Sequence, residues 1–250
     1  MKTIFALTLI TGMSMNFITG QKEKNTVTQS PTGFAVVELF TSEGCSSCPA
    51  ADEAVIDIAN EYKKNVYVVG FHVDYWNYLG WKDAFSNASY SQRQQQYGSV
   101  FNLNSIYTPQ IVVNGKTQFV GSNRGQLHDA INQELKTNNP SSIELSAKTS
   151  DNKTVHINYK TSAGSNNILN IAIVQLHTQT AVKRGENQGK QLHHINIVRD
   201  FKAVAPVKGQ ADISLTLPDG LAAKDCMIIA YLQEKNDLHI IAAAETEILQ

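Results

Sequence analysis

Two cysteines stand three apart in Gly44-Cys45-Ser46-Ser47-Cys48-Pro49, directly ahead of a helical pattern. A Cys-x-x-Cys at a helix N-terminus has a definite chemistry. First-turn N–H groups are unpaired and the dipole is positive there, so a thiolate is stabilised and the first thiol's pKa falls. Cys45 is the expected nucleophile, placed before the helix where it can be exposed. Cys48 is within reach to resolve a mixed disulfide and leave a Cys45–Cys48 disulfide. Pro49 is tolerated because a first-turn N–H has no helical partner to lose. Two other readings compete. Half of a zinc site would need a second ligand pair, yet Cys226 stands alone and His193-His194 lacks the usual spacing. A permanent, inert disulfide would use the same two residues without chemistry.

Other residues gain meaning beside this pair. Thr108-Pro109 precedes the apolar run Gln110–Val113. A proline opposite a dithiol is expected to be cis, aiming the Thr108 backbone at an extended substrate segment. The rival is a trans proline at a strand start. Thr108 and Gly44 are the expected substrate-contacting positions. Glu38 interrupts an apolar run seven residues before Cys45. If buried, it would have a raised pKa and take the Cys48 proton during exchange; otherwise it points outward or lies at an edge. His72 ends a second apolar run, and with Cys45 and Cys48 it would offer copper a thiolate–imidazole set. The rival is a structural His. No resident metal or cofactor is expected.

The composition sets limits. With 42% hydrophobic residues the chain can bury a core without a disulfide scaffold, and three cysteines are too few for one. A net charge of −1 without a basic stripe argues against nucleic acid. Lys2 followed by the short apolar run Ile4–Ile10 reads as a cleaved secretory signal over residues 1–20, an uncleaved anchor being the alternative. No later run approaches the length of a membrane span. Partners are then protein thiols or disulfides, or a membrane redox protein.

The elements that position these residues follow from periodicity. Ala35–Phe40 and Val66–Phe71 read as buried strands. Between them Val55, Ile58, Ala59 and Tyr62 mark one helical face, making a βαβ unit with parallel strands. Residues 74–107 open with Tyr75, Trp76, Tyr78, Trp81 and Phe85, an insertion core or a ligand platform, and continue into a helix over Ser89–Tyr97. Ile111–Val113 runs into the Asn114-Gly115 hairpin, and Ser122 or Asn123 caps a last helix with Leu127, Ala130, Ile131 and Leu135 inward. Beyond Pro140 the period falls to two, with seven short strands between turn signals. Lys183–Lys190 is a Gly-flanked polar loop that reaches over the dithiol or is a solvated hairpin. Cys226 is expected to be a buried small hydrophobe.

Three stretches resemble thioredoxin: Val36–Phe40 leading to Cys45–Cys48, Tyr107–Gly115, and Asn123–Leu127. In that resemblance Glu38 takes the place of the buried acid. A closer likeness spans nearly the whole mature chain. Val37–Asp52, Phe71–Trp76, Leu79–Asp83, Tyr107–Gln110 and Gly185-Glu186-Asn187-Gln188-Gly189 resemble a family of secreted thioredoxin-like proteins known as a domain of unknown function. The resemblance implies an α/β fold, a thioredoxin-like domain over 34–139 with the insertion 74–107, followed by a small all-β sandwich over 141–250. Residues 21–33 are a linker. The implied activity is thiol–disulfide exchange on protein cysteines. A copper-binding or metallochaperone protein, and a non-catalytic binding module of the same fold, are the alternatives. Gly44 stands where thioredoxin has tryptophan, and Ser46-Ser47 where it has Gly-Pro.

Overall fold

The computed structural model describes residues 27–28 and 33–250. The expected signal segment lies outside them, as does most of the expected linker. Within that linker Val27–Thr28 is a short strand, β1, pairing with Leu145 and Glu144. The expected linker therefore contributes to a sheet.

The first half alternates strand and helix: β2 (Ala35–Thr41), α1 (Pro49–Glu61), β3 (Val66–His72), α2 (Ala88–Val100), β4 (Gln110–Val113), β5 (Thr117–Val120) and α3 (Arg124–Leu135). β2 and β3 are parallel, β4 is antiparallel to β2, and β5 is antiparallel to β4. Every residue of β2 and β3 is buried, as expected of central parallel strands covered on both faces. That explains their unbroken apolar runs. Alternation then sorts the side chains. Ala35, Val37 and Leu39 pack with Ala51, Val55 and Ile58 of α1 and Leu127 and Ile131 of α3. Val36 and Phe40 face the other way, into a core with Phe71, Tyr90, Tyr97 and Tyr231. The Asn114-Gly115 hairpin is present, with φ of 47° and 68°, and the Asn114 side chain also accepts from Val36 N at 2.7 Å. Asn123 caps α3, its Oδ1 accepting from Gln126 N at 3.1 Å.

The second half has seven strands: β6 (Ile143–Lys148), β7 (Thr154–Thr161), β8 (Asn167–Ala181), β9 (Gln191–Val204), β10 (Gly209–Thr216), β11 (Cys226–Glu234) and β12 (Ile240–Leu249). Their apolar residues, among them Ile143, Leu145, Ile157, Ile171, Ile228 and Ala242, form a third core that includes Cys226. β8 and β9 form a long hairpin, and past Gln175 its residues alternate between more buried and exposed positions. β9 also runs alongside β3, Gly70 pairing with Ile197. The result is a mixed α/β protein with one large sheet and few helices, in the strand order β10-β7-β6-β12-β11-β8-β9-β3-β2-β4-β5.

Candidate active site

The Cys-x-x-Cys turn is built by local hydrogen bonds. Cys45 N donates to Ser42 O at 3.2 Å and Cys48 N to Cys45 O at 3.3 Å. Cys48 is the N-cap of α1 and Pro49 opens the helix. Both cysteines are free thiols in the structure, the reduced state of the pair. The expectation of an exposed Cys45 is corrected: the residue is 1% exposed, and Ser46 and Ser47 present the surface instead. Cys45 Sγ lies 3.3 Å from Ser47 Oγ and 3.9 Å from Thr108 O. The Cys48 thiol beside it, helped by Ser47, outweighs burial and lowers Cys45 to about 6. Cys48 moves the other way, raised by burial, then by Cys45 and Asp52.

Thr108-Pro109 is cis. Its position is held from two sides. Trp76 Nε1 donates to Thr108 Oγ1 at 2.7 Å, and Gly121 N to Pro109 O at 2.9 Å. Gly44 seats the same tryptophan: an added Cβ would stand 3.1 Å from Trp76 Cβ. Tyr75 and Trp76 of the aromatic stretch pack against the core that holds Phe40, Phe71 and Tyr97. Trp76 and Trp81 brace the dithiol loop, Trp81 Nε1 donating to Glu43 Oε2 at 2.8 Å, while Tyr78 is exposed.

Glu38 does not serve the dithiol as expected. It is fully buried, but by alternation it shares the face of Val36 and Phe40, opposite α1. Oε1 accepts from Arg93 Nε and from Tyr231 Oη, both at 2.7 Å, and Oε2 accepts from Tyr97 Oη. The Arg93 guanidinium sits 5.2–5.6 Å from the rings of Phe71, Tyr97, Phe201 and Tyr231. A carboxylate so enclosed ties the two halves together and has no path to Cys48.

His72 does lie on the α1 face, yet Nδ1 is 2.7 Å from Asp83 Oδ2. Among the described residues, the His, Cys, Asp and Glu groups able to share a cation reduce to Glu234, Asp237 and His239. Cys45, Cys48 and His72 are not brought together as a ligand set.

The second half completes the site. Its Lys183–Lys190 loop reaches over the dithiol turn. Asn187, fully buried, donates through Nδ2 to Glu43 O and Cys45 O, both at 2.8 Å. Glu186 Oε2 accepts from Ser46 N at 3.0 Å. Gly185, with φ 76°, is where the strap passes Trp81 and Leu79: a Cβ would lie 3.2 Å from Trp81 Cβ. β9 adds His194, buried beside Asp52 of α1 and Glu43.

A family model described as "Protein of unknown function (DUF1223)" matches residues 36–233, from the strand before the dithiol to β11. The chain belongs to the DUF1223 family. A thioredoxin of Methanocaldococcus jannaschii is 32% identical over 100 residues, 40% of this chain and 94% of that protein. The chain is thus thioredoxin-like. A crystal structure of an Agrobacterium tumefaciens protein is similar with a TM-score of 0.66 and 27% identity, covering 88% of this chain and 96% of that one. HBP35 of Porphyromonas gingivalis shares the fold, with a TM-score of 0.57, 19% identity and coverage of 88% and 76%.

In this DUF1223 protein, the partners of three buried residues, Asp52, Arg93 and His194, escaped the sequence reading. Each acquires its partners only through contacts distant in sequence.

Proposed function

We propose that the protein is an extracytoplasmic thiol–disulfide oxidoreductase acting on protein cysteines. The observation that carries this is the asymmetry of the dithiol. Cys45 is lowered to about 6 while Cys48, buried behind it, is raised, and Thr108 O faces the first sulfur. An acidic first thiol attacks and leaves well, whereas a protonated second thiol waits until it is needed. In the reductive direction Cys45 attacks a substrate disulfide, and Cys48 then displaces the substrate sulfur. Pro109 and Thr108 shape the edge along which an extended substrate pairs. The layout we infer is a thioredoxin-like half, residues 34–139, carrying the dithiol, and an all-β half, residues 141–250, that covers its flank and positions the partner. Among the described residues no helix is long and apolar enough to cross a membrane. Residues 1–20 are read as the address outside the cytoplasm.

Insulin reduction with dithiothreitol as electron source tests the reading. Wild type accelerates precipitation and Cys45→Ser does not. Equal activity in the two proteins overturns it. A Cys45–Cys48 potential below about −300 mV would mark a static bridge and a non-catalytic module instead.

A further inference from the structure

The strap that crosses the dithiol turn is basic, and the cis-proline wall of the site is uncharged. Residues 183–190 carry Lys183, Arg184 and Lys190 against a single acid, Glu186. Residues 99–115, which include Thr108 and the cis proline, carry no charged side chain. The whole chain has a net charge of −1, so this concentration of cations is local.

The strap is held in one shape. Val182 N donates to Lys190 O at 3.0 Å and Gly189 N to Val182 O at 2.9 Å, closing its base. Gln188 N donates to Gly185 O and Lys190 N to Asn187 O, both at 3.1 Å. Its tip clamps one peptide unit of the dithiol turn from both ends. Asn187 donates to Cys45 O at 2.8 Å, and Glu186 accepts from Ser46 N at 3.0 Å. The strap's one acid is thus engaged by the turn. Lys190 Nζ donates to Asn187 Oδ1 at 2.9 Å, one side chain away from Cys45. Lys183 and Arg184 are exposed and, among the described residues, have neither a hydrogen bond nor an ion pair.

The aromatic turn adds to the same face. Lys82 is exposed between Trp81 and Asp83, the two residues that hold Glu43 through its Oε2 and its N, two positions before Cys45. The strap crosses this turn where Gly185 meets Leu79: an added Cβ would lie 3.3 Å from Leu79 O. The crossing sets the preceding residues, Arg184 and Tyr78, on one seam. Tyr78 is 80% exposed. Tyrosine and arginine are the residue types that anchor protein interfaces. Against these cations stands Glu53, the exposed acid in the first two turns of α1.

We propose that this basic strap face is the docking surface for an acidic segment of the protein substrate, next to the cysteine that reaches Cys45. The proposal rests on the oxidoreductase reading. Cys45 is 1% exposed and lies under the strap, so a substrate sulfur that reaches it brings its flanking residues against the strap. Along the uncharged Thr108–Pro109 wall the substrate backbone pairs, which suits any sequence. The strap reads the charge of the neighbouring side chains. Complementary charge speeds encounter and suppresses wrong partners, and salt screens it.

One peptide disulfide made in three forms, with Glu, Gln or Lys flanking the cysteine, tests this. Each rate with the reduced protein is divided by the rate with dithiothreitol, which removes the peptide's own reactivity. At low ionic strength wild type should reduce the Glu form about tenfold faster than the Lys form, with the Gln form between. Salt at about 0.5 M should abolish the difference. Lys183→Glu combined with Arg184→Glu should invert the order, and Lys82→Glu, on a different element, should narrow it. Equal normalised rates for the three forms in wild type overturn the proposal, as does a Glu preference that persists at high salt or in all the charge-reversed proteins. A nitrobenzoate disulfide reporter keeps the two readings apart, because each displaced thiolate is coloured. Attack by Cys45 releases the first equivalent and resolution by Cys48 the second. The dithiol gives two electrons to the disulfide and its two protons to solvent. Wild type that releases neither equivalent overturns the oxidoreductase reading itself. Wild type that releases both but ignores peptide charge overturns only the docking surface.

Discussion

The central strands separate two buried carboxylate networks that differ in one respect. On the α2 face Glu38 is saturated: Arg93, Tyr97 and Tyr231 all donate to it, and Gln233 closes the ring by donating to Tyr97 Oη at 2.8 Å. On the α1 face Glu43 and Asp52 share His194 at 3.5 Å, with orphaned atoms on both sides of the contact. Both networks are buried, and both join the two halves of the chain. A saturated network holds one geometry, so it specifies structure. An unsaturated one leaves buried polar atoms free to take a further partner. The contrast explains why the acid most conspicuous in the sequence is the less chemical of the two.

Removing Arg93 breaks the saturated side and should have the largest effect. Arg93→Met leaves the Glu38 carboxylate buried without its cation, a change that costs about 3–5 kcal/mol. Urea denaturation should show this loss, while the folded fraction still performs both steps of reporter release. Glu38→Gln should behave in the same direction. A slowed second release in Glu38→Gln with normal stability would return Glu38 to the proton path and erase the distinction between the two faces.

Asn187→Ala tests how the strap supports the unsaturated side. The substitution strands two buried carbonyls, those of Glu43 and Cys45, at a cost of about 1–3 kcal/mol for each group left unpaired. The expected signature is lower stability together with a Cys45 alkylation midpoint shifted upward, since the turn that aligns Cys45 with Ser47 and Thr108 loosens. Unchanged stability would mean the strap rests on the turn without holding it.

Much of this was legible in the sequence, and the limits have physical causes. Local signals worked. The apolar runs of β2 and β3, the Asn-Gly hairpin, the Asn123 cap and all seven later strands follow from periodicity and turn chemistry acting over a few residues. Long-range contacts were not legible. Nothing near Glu38 states which face it occupies relative to α1, and Arg93 lies 55 residues away. The length of β8 and β9 was hidden because their outer ends are polar, yet those ends bring His194 to Asp52 across 142 positions. Cys45 was expected at the surface because helix N-termini usually are exposed. The covering residues, Trp76 and Asn187, come from an insertion and from the other half.

The smallest effect is the net pH dependence of wild-type stability, because there the dithiol and the histidine pull in opposite directions. Cys45 is lowered from 9.0 to about 6 on folding. Between those values the unfolded chain holds a proton that the native state lacks, so this group makes the reduced protein more stable as pH rises from 6 to 9. His194 is raised from 6.5 to about 10. There the native state holds the extra proton, so its contribution is full below 6.5 and is lost as pH climbs towards 10. In the wild type the two slopes offset each other over their shared range. Cys45→Ser removes the rising term and should expose a stability that falls with pH, whereas His194→Asn should expose one that rises. Urea midpoints of the reduced proteins at about pH 6, 7.5 and 9 read both. Parallel profiles in the two variants would show that the histidine carries no extra proton in the native state, and the unsaturated network would then be as closed as the one around Glu38.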